Sequence, residues 1–335
     1  MRWLSVAVLA VAACGRFGFD GVGPGDTGGA GDSGGGDDTL PGTDGGDPDS
    51  SSTMQPDGAM AGNWAVFSPG LPALVDYYSA WAFGPSSVWV GGAAGDVRVF
   101  DGSAWIQRPG AANDVYGMWG ATASDVWEVG RLCEVHRWNG TMWNVVTVPG
   151  CTNKSYFGVA GLSATDVWLV GVGGQVDHYV SGTFTAYPQA NNVDLWAVWP
   201  KTASDAYFVG TRGTILHWTG TVADESIGQN IILTSVWGSG NELWVVGGAG
   251  LIFHKVGTGA WQSVTSPTTT FLYHVFGTST SDVWAVGDSG VVLHYNGSTW
   301  SQVTSPVTTT LRWTAAVPGG GLRMVGHGGT VLAHP

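Results

Sequence analysis

Hydrophobic positions along this chain come in short bursts, each broken by glycine or by a Ser, Asp or Asn turn. The clearest passage reads Tyr273-His274-Val275-Phe276-Gly277, Ser281-Asp282-Val283-Trp284-Ala285-Val286-Gly287, Gly290-Val291-Val292-Leu293-His294-Tyr295, and Asn296-Gly297-Ser298-Thr299-Trp300. Runs of this length, rich in Val, Trp and Tyr and bounded by turn formers, predict four short strands in succession. The passage repeats. Trp284 is matched by Trp89, Trp127, Trp168, Tyr207, Trp244 and Arg323, at intervals of 38, 41, 39, 37, 40 and 39 residues. A glycine closes that strand in every copy: Gly92, Gly130, Gly171, Gly210, Gly247, Gly287 and Gly326. Periods near forty with four strands each predict β-propeller blades.

With the strands lettered A to D from the axis outward, the landmark lies on strand B. Strand A carries Trp81, Trp119, Trp199, Trp237 or Phe276 seven or eight residues earlier, and strand D carries Trp105, Trp143, Phe184, Trp261 or Trp300. Aromatics repeated in register are expected to pack between blades. The seventh copy, Leu311 to Pro335, runs out after strand C, and the missing strand D stands at the other end as Asn63-Trp64-Ala65-Val66. The expectation is an all-β fold: a seven-bladed β-propeller of four-stranded blades over residues 63–335, its ring closed by the N-terminal strand pairing with the last blade, which removes the open edges.

Composition narrows the function. Twelve Lys and Arg against 25 Asp and Glu give a net charge of −13. That excludes the basic surplus a nucleic-acid binder uses. With 55 Gly and 19 Trp, a helical bundle is excluded too. Nine of the acids lie in residues 15–62, which hold 16 Gly, no Glu and the single base Arg16. This composition cannot bury enough surface to fold and predicts a tether. Gly31-Asp32-Ser33-Gly34-Gly35 mimics a serine-protease motif, and Gly29 to Gly34 fits G-x-G-x-x-G. Both fall in the tether, without the strand–turn–helix setting their chemistry requires.

At the N-terminus, Arg2 precedes an apolar run from Leu4 to Ala13, too short to span a bilayer and suited to a signal peptide over residues 1–13. The run Val11-Ala12-Ala13-Cys14 resembles the lipobox of bacterial lipoproteins. That resemblance implies cleavage before Cys14 and acylation of its thiol and new amino group. Gly15 in place of Asp implies the outer membrane or cell surface. Residues 14–62 would then form the lipidated Cys and its tether.

Histidine recurs on strand C and an acid at the start of strand B. The predicted structural pairs are Asp125 with His136, Asp166 with His178, Asp205 with His217, Glu242 with His254, and Asp282 with His294. Blades 1 and 7 lack both members, which suggests contact within each antiparallel hairpin. Five copies on separate blades argue against one metal or catalytic centre, and no metal or other cofactor is expected. Cys133 replaces a glycine of a B–C turn and Cys151 lies in the next D–A connection on the same face. In an exported protein they are expected to form a disulfide.

Residues 63–335 resemble the bacterial-neuraminidase-repeat (Asp-box) propellers and photosystem-assembly-factor-like propellers. The shared features are the strand B–turn–strand C core and a Gly-x-x-Trp ending, as in Gly102 to Trp105, Gly140 to Trp143 and Gly297 to Trp300. A true Asp-box places an Asp two residues before that Gly, where this chain has Phe100, Trp138 and Tyr295. The resemblance therefore implies the fold and not sialidase activity, whose arginine triad and Tyr nucleophile have no counterpart here. The B–C turns and D–A connections vary where the blades are otherwise alike, and Arg131, Lys154, Arg212, Asp288 and His327 mark a candidate binding face. The expected function is non-catalytic binding or scaffolding by a surface-anchored lipoprotein. Its contacts would be the membrane through the lipid, an unknown protein or glycan on the B–C face, and no nucleic acid, with the protein a monomer. A lectin-like adhesin is the second reading, and a polysaccharide hydrolase or lyase the third.

Overall fold

In the computed structural model, residues 64–334 are described, except 69, 188–191 and 320. The proposed signal peptide, Cys14 and the tether lie outside the described residues. Seven four-stranded antiparallel sheets follow one another along the chain. Strand A of each blade packs against strand A of both neighbours, and blade 1 (Tyr77–Gly84) meets blade 7 (Leu311–Ala316), so the A strands ring a common axis. This is the seven-bladed β-propeller the repeat predicts.

Closure occurs where the missing strand D required it. Ala65–Val66 pairs with Val331–His334, Ala65 opposite Ala333 and Val66 opposite Leu332. Trp64 is buried, its ring edge-on to Trp284 at 5.5 Å and 4.8 Å from the His334 ring.

The glycine that ends strand B has a steric cause. A Cβ on Gly92 would lie 2.2 Å from the Asp76 carbonyl oxygen, and the same clash recurs down to 2.0 Å for Gly326 against Thr310. The backbone just before strand A lies against this position in every blade. The next residues form a single 3-10 turn whose third position is left-handed: Gly95, Gly174, Gly213, Gly250, Gly290 and, alone in lacking glycine, Cys133 at φ 63°. A non-glycine residue there costs about 1–2 kcal/mol. Cys133 is joined to Cys151 as expected, with Cα atoms 5.9 Å apart, so the bridge ties this turn to the connection that follows blade 2.

The aromatic columns pack between blades. Trp89 receives Trp138 and Trp143 of the next blade at 5.5 and 6.0 Å, Trp168 receives Trp218 at 4.9 Å, and Trp244 receives Tyr295 and Trp300 at 4.7 and 5.4 Å. In blade 5 the position of Trp138 is Lys255, whose ammonium lies 5.4 Å from the Tyr207 ring centre, a cation–π contact in place of a ring pair.

Candidate functional site

Four of the five predicted acid–histidine pairs form. Nε2 of His178, His217, His254 and His294 lies 2.8, 2.8, 2.9 and 2.7 Å from Asp166, Asp205, Glu242 and Asp282. Each imidazole also stacks flat on its cross-strand landmark, Trp168, Tyr207, Trp244 or Trp284, with ring centres 3.6 to 4.0 Å apart. The acid fixes the ring plane, the ring covers the indole or phenol, and the next blade closes over both.

The fifth pair is a correction. Asp125 does not hold His136. It takes a two-pronged bond from Arg137, Nε at 2.6 Å and Nη2 at 2.8 Å, and the guanidinium lies over Trp127. Strand register decides this. Trp127 stands opposite Arg137 and Glu128 opposite His136, so His136 is on the other side of the sheet. The sequence carried the signal: the other four spacings are 12 residues, and 12 from Asp125 reaches Arg137. His136 instead faces the buried Glu128, Nδ1 to Oε1 at 3.1 Å. Burial pushes the Glu128 carboxyl up, and the contact with Glu128 raises the His136 imidazole. Blade 4 extends its pair differently. His217 Nδ1 also meets Glu225 at 3.2 Å, and Glu225 accepts from the Trp261 indole at 2.9 Å and from Lys255. Burial acts to raise the Glu225 carboxyl, but these donors outweigh it and hold it below the usual range.

The B–C face is stitched together across blades. Asp114 accepts from the Ala94 amide at 2.9 Å, Asp194 from Gly173 at 2.8 Å, Asp76 from Gly328 at 2.9 Å, and Asp288 from the Thr310 hydroxyl at 3.0 Å. An acid just before strand A thus caps the preceding blade's turn, while in the last case the acid belongs to the turn. Of the sequence-predicted face residues, Arg131 is half exposed beside Asp114 at 3.9 Å, Lys154 bonds Gln175 at 3.0 Å, and Arg212 is exposed at a left-handed φ of 60°. His327 accepts from Arg312 at 2.9 Å.

The same end of the ring carries a feature that sequence reasoning missed. Every strand A has a bulge at its second residue, where the register with strand B slips. The bulged residues are Tyr78, Tyr116, Phe157, Trp196, Thr234, Tyr273 and Arg312. Their rings touch from blade to blade: Tyr78 to Tyr116 at 6.1 Å, Tyr116 to Phe157 at 5.7 Å, and Phe157 stacked on Trp196 at 4.0 Å. Arg312 lies over Tyr273 at 3.9 Å. A bulge re-aims a side chain out of the sheet's alternation, and seven of them on the innermost strands make a largely aromatic collar. The repeat shows this column once strand A is aligned, but strict two-residue alternation hides its direction.

No known family matches the chain, and no curated protein matches it. Solved structures do. YCF48 bound to D1 peptide aligns with 81% of this chain and 96% of its own, at 15% identity and a TM-score of 0.66. YCF48 from Cyanidioschyzon merolae gives 16% identity and 0.66, covering 81% and 98%. The WD40 propeller domain of Doa1 gives 13% and 0.67, covering 82% and 97%. Likenesses at these identities establish the propeller fold.

Proposed function

We propose that this protein is a non-catalytic binding propeller that holds a peptide segment of a partner protein against its B–C face. The observation that carries the reading is the collar: seven bulged side chains, five of them aromatic, gathered at the end of the ring that also bears the irregular turn charges. Of the seven, Tyr78 and Tyr116 are part-exposed and the other five are buried, so the collar is a rigid base that offers these two rings beside the turn charges. Aromatics and Arg dominate binding energy at protein interfaces. A structural neighbour, YCF48, is seen with a peptide bound, which supports peptide binding as a use of this fold. The N-terminal signals complete the proposal, with a chain acylated at Cys14 and displayed on a tether at the outer membrane or cell surface.

A second reading, a lectin-like adhesin, is favoured by a cleft of about 450 Å³ between blades 1 and 2. Trp138 and Trp143 line it, with Arg108 and His136. Affinity capture from an envelope extract, run beside a glycan array, separates the two. The peptide reading expects protein retained by the full chain, with capture weakened by Arg131→Glu with Arg212→Glu or by Tyr78→Ala with Tyr116→Ala, and unaffected by reversing Lys201 and Asp205 on the opposite face. Capture sensitive only to the Lys201–Asp205 change, or retention of glycans alone, overturns it.

A further inference from the structure

Arg312 breaks the collar's chemistry. Where five blades place an aromatic ring and blade 5 places Thr234, blade 7 places a guanidinium. Arg312 is only 7% exposed. Its plane is set by Tyr273, 3.9 Å from the guanidinium carbon to the ring centre, and by the bond from Nε to His327 Nε2 at 2.9 Å. Nη1 is buried and has no hydrogen-bond partner. Among the described residues no carboxylate is paired with it, and the acid near this corner, Asp76, sits 3.9 Å from His327 instead. The contrast with Arg98 and Arg137 is direct, since each of those is gripped through two nitrogens by Asp96 or Asp125.

We propose that Arg312 is a carboxylate-reading subsite within the collar, selecting peptide segments that present an acidic group next to an aromatic or apolar side chain. This rests on the peptide-binding reading above and adds the chemistry of the ligand. A buried charge without a counter-ion is destabilising, and a bound anion removes that penalty. With Nε bonded to His327, the donors left over are those of Nη1, buried and unpartnered, and Nη2, a coplanar pair that a two-oxygen carboxylate entering the collar matches. Tyr273 is buried beneath the guanidinium, and Tyr78, the part-exposed collar residue of the neighbouring blade, supplies the apolar contact.

The carboxylate can come from a chain terminus or from an Asp or Glu side chain, and the test distinguishes them. The immobilised full chain is presented with three random heptapeptide libraries: free C-termini without Asp or Glu, amidated C-termini with Asp and Glu, and amidated C-termini without either. Capture is expected from one or both of the first two and not from the third. Arg312→Gln is expected to weaken the captured peptides about tenfold or more, since the site then loses its charged partner. Arg312→Lys is expected to restore them only in part. Arg312→Met supplies an independent readout. A merely structural arginine would lose thermal stability on this change, whereas a buried ligand-reading charge is expected to be replaced with no loss or a gain in Tm while peptide capture disappears. Equal capture from the neutral library, or unchanged affinity in Arg312→Gln while Tyr78→Ala with Tyr116→Ala still abolishes binding, overturns the carboxylate subsite and leaves the peptide face standing. Capture from none of the libraries overturns both.

Discussion

Glu128 and His136 occupy a cross-strand position that is apolar in blades 4 to 7, as Phe208 with Leu216, Val245 with Phe253, Ala285 with Leu293, and Met324 with Leu332. Blade 2 therefore carries a buried polar pair where packing alone would serve. Replacing such a pair by apolar residues is often neutral or stabilising by about 1–4 kcal/mol, while removing one partner costs about 3–5 kcal/mol. Glu128→Leu with His136→Leu is thus expected to raise stability at pH 8, and His136→Leu alone to lower it, both read by urea denaturation. The pH dependence has a definite sign. Both groups hold their protons more tightly folded than unfolded, because burial raises Glu128 and the contact with Glu128 raises His136. Their contribution is fully present below the ordinary carboxylate value of 4.5. The Glu128 part declines as pH rises from 4.5 toward its raised folded value, and the His136 part as pH rises past 6.5 toward its own. The advantage of the double variant is expected to grow from pH 4 to pH 8, and a pH-independent gap would count against this account. The polar character of this pair is legible in the repeat alignment. Its burial is not, because that depends on the blade 1 connection, where a Cβ on Gly110 would meet Glu128 Oε1 at 2.7 Å.

Two ties between elements set how the ring holds together. The first is the closing strand, a two-residue pairing reinforced by one indole. Trp64→Ala leaves a cavity beside Trp284 and is expected to cost about 3–5 kcal/mol. Deleting residues 64–66 also opens the edge of the last sheet. Thermal melting checks both, and a midpoint unchanged by the deletion would refute closure as a source of stability. The second tie is the disulfide. In chain-entropy terms, a bridge spanning 18 residues contributes about 3 kcal/mol. It also holds a non-glycine residue at a left-handed φ. Cys133→Ser with Cys151→Ser is expected to lose roughly that amount, and Cys133→Gly with Cys151→Ser to lose less, because glycine relieves the backbone. Equal losses in the two variants would show that backbone strain contributes nothing. Both ties were legible beforehand, one from a missing strand and one from a thiol standing in a glycine column.

For the whole molecule, the place of the proposed binding face is set against the point where the chain joins the ring. Trp64 lies beside His334, at the end of strand C, and Phe67 bonds Val331 near its start, so the chain runs from the C–D end toward the B–C end as it enters. The collar therefore lies at the end of the ring opposite the point where the chain enters. Metabolic labelling with an alkyne fatty acid is expected to mark the full chain in a bacterial host and to miss the Cys14→Ser variant. Labelling that survives this change would remove the anchor from the proposal.

Blade number, strand order, the closing strand and the cysteine pair were all determined by the sequence alone, because a forty-residue repeat writes the same steric demands seven times and departures from it stand out. The tertiary structure decided which neighbour each polar group meets. Asp125 holds Arg137 because antiparallel register sets which side of the sheet a residue faces, a rule that the 12-residue spacing encodes and only the paired strands enforce. The collar exists because a bulge breaks alternation at the second residue of each strand A, and its rings meet only when seven blades converge on one axis. Arg312 has the same chemistry in the sequence as Arg98 and Arg137; only the packed ring leaves it buried without an acid.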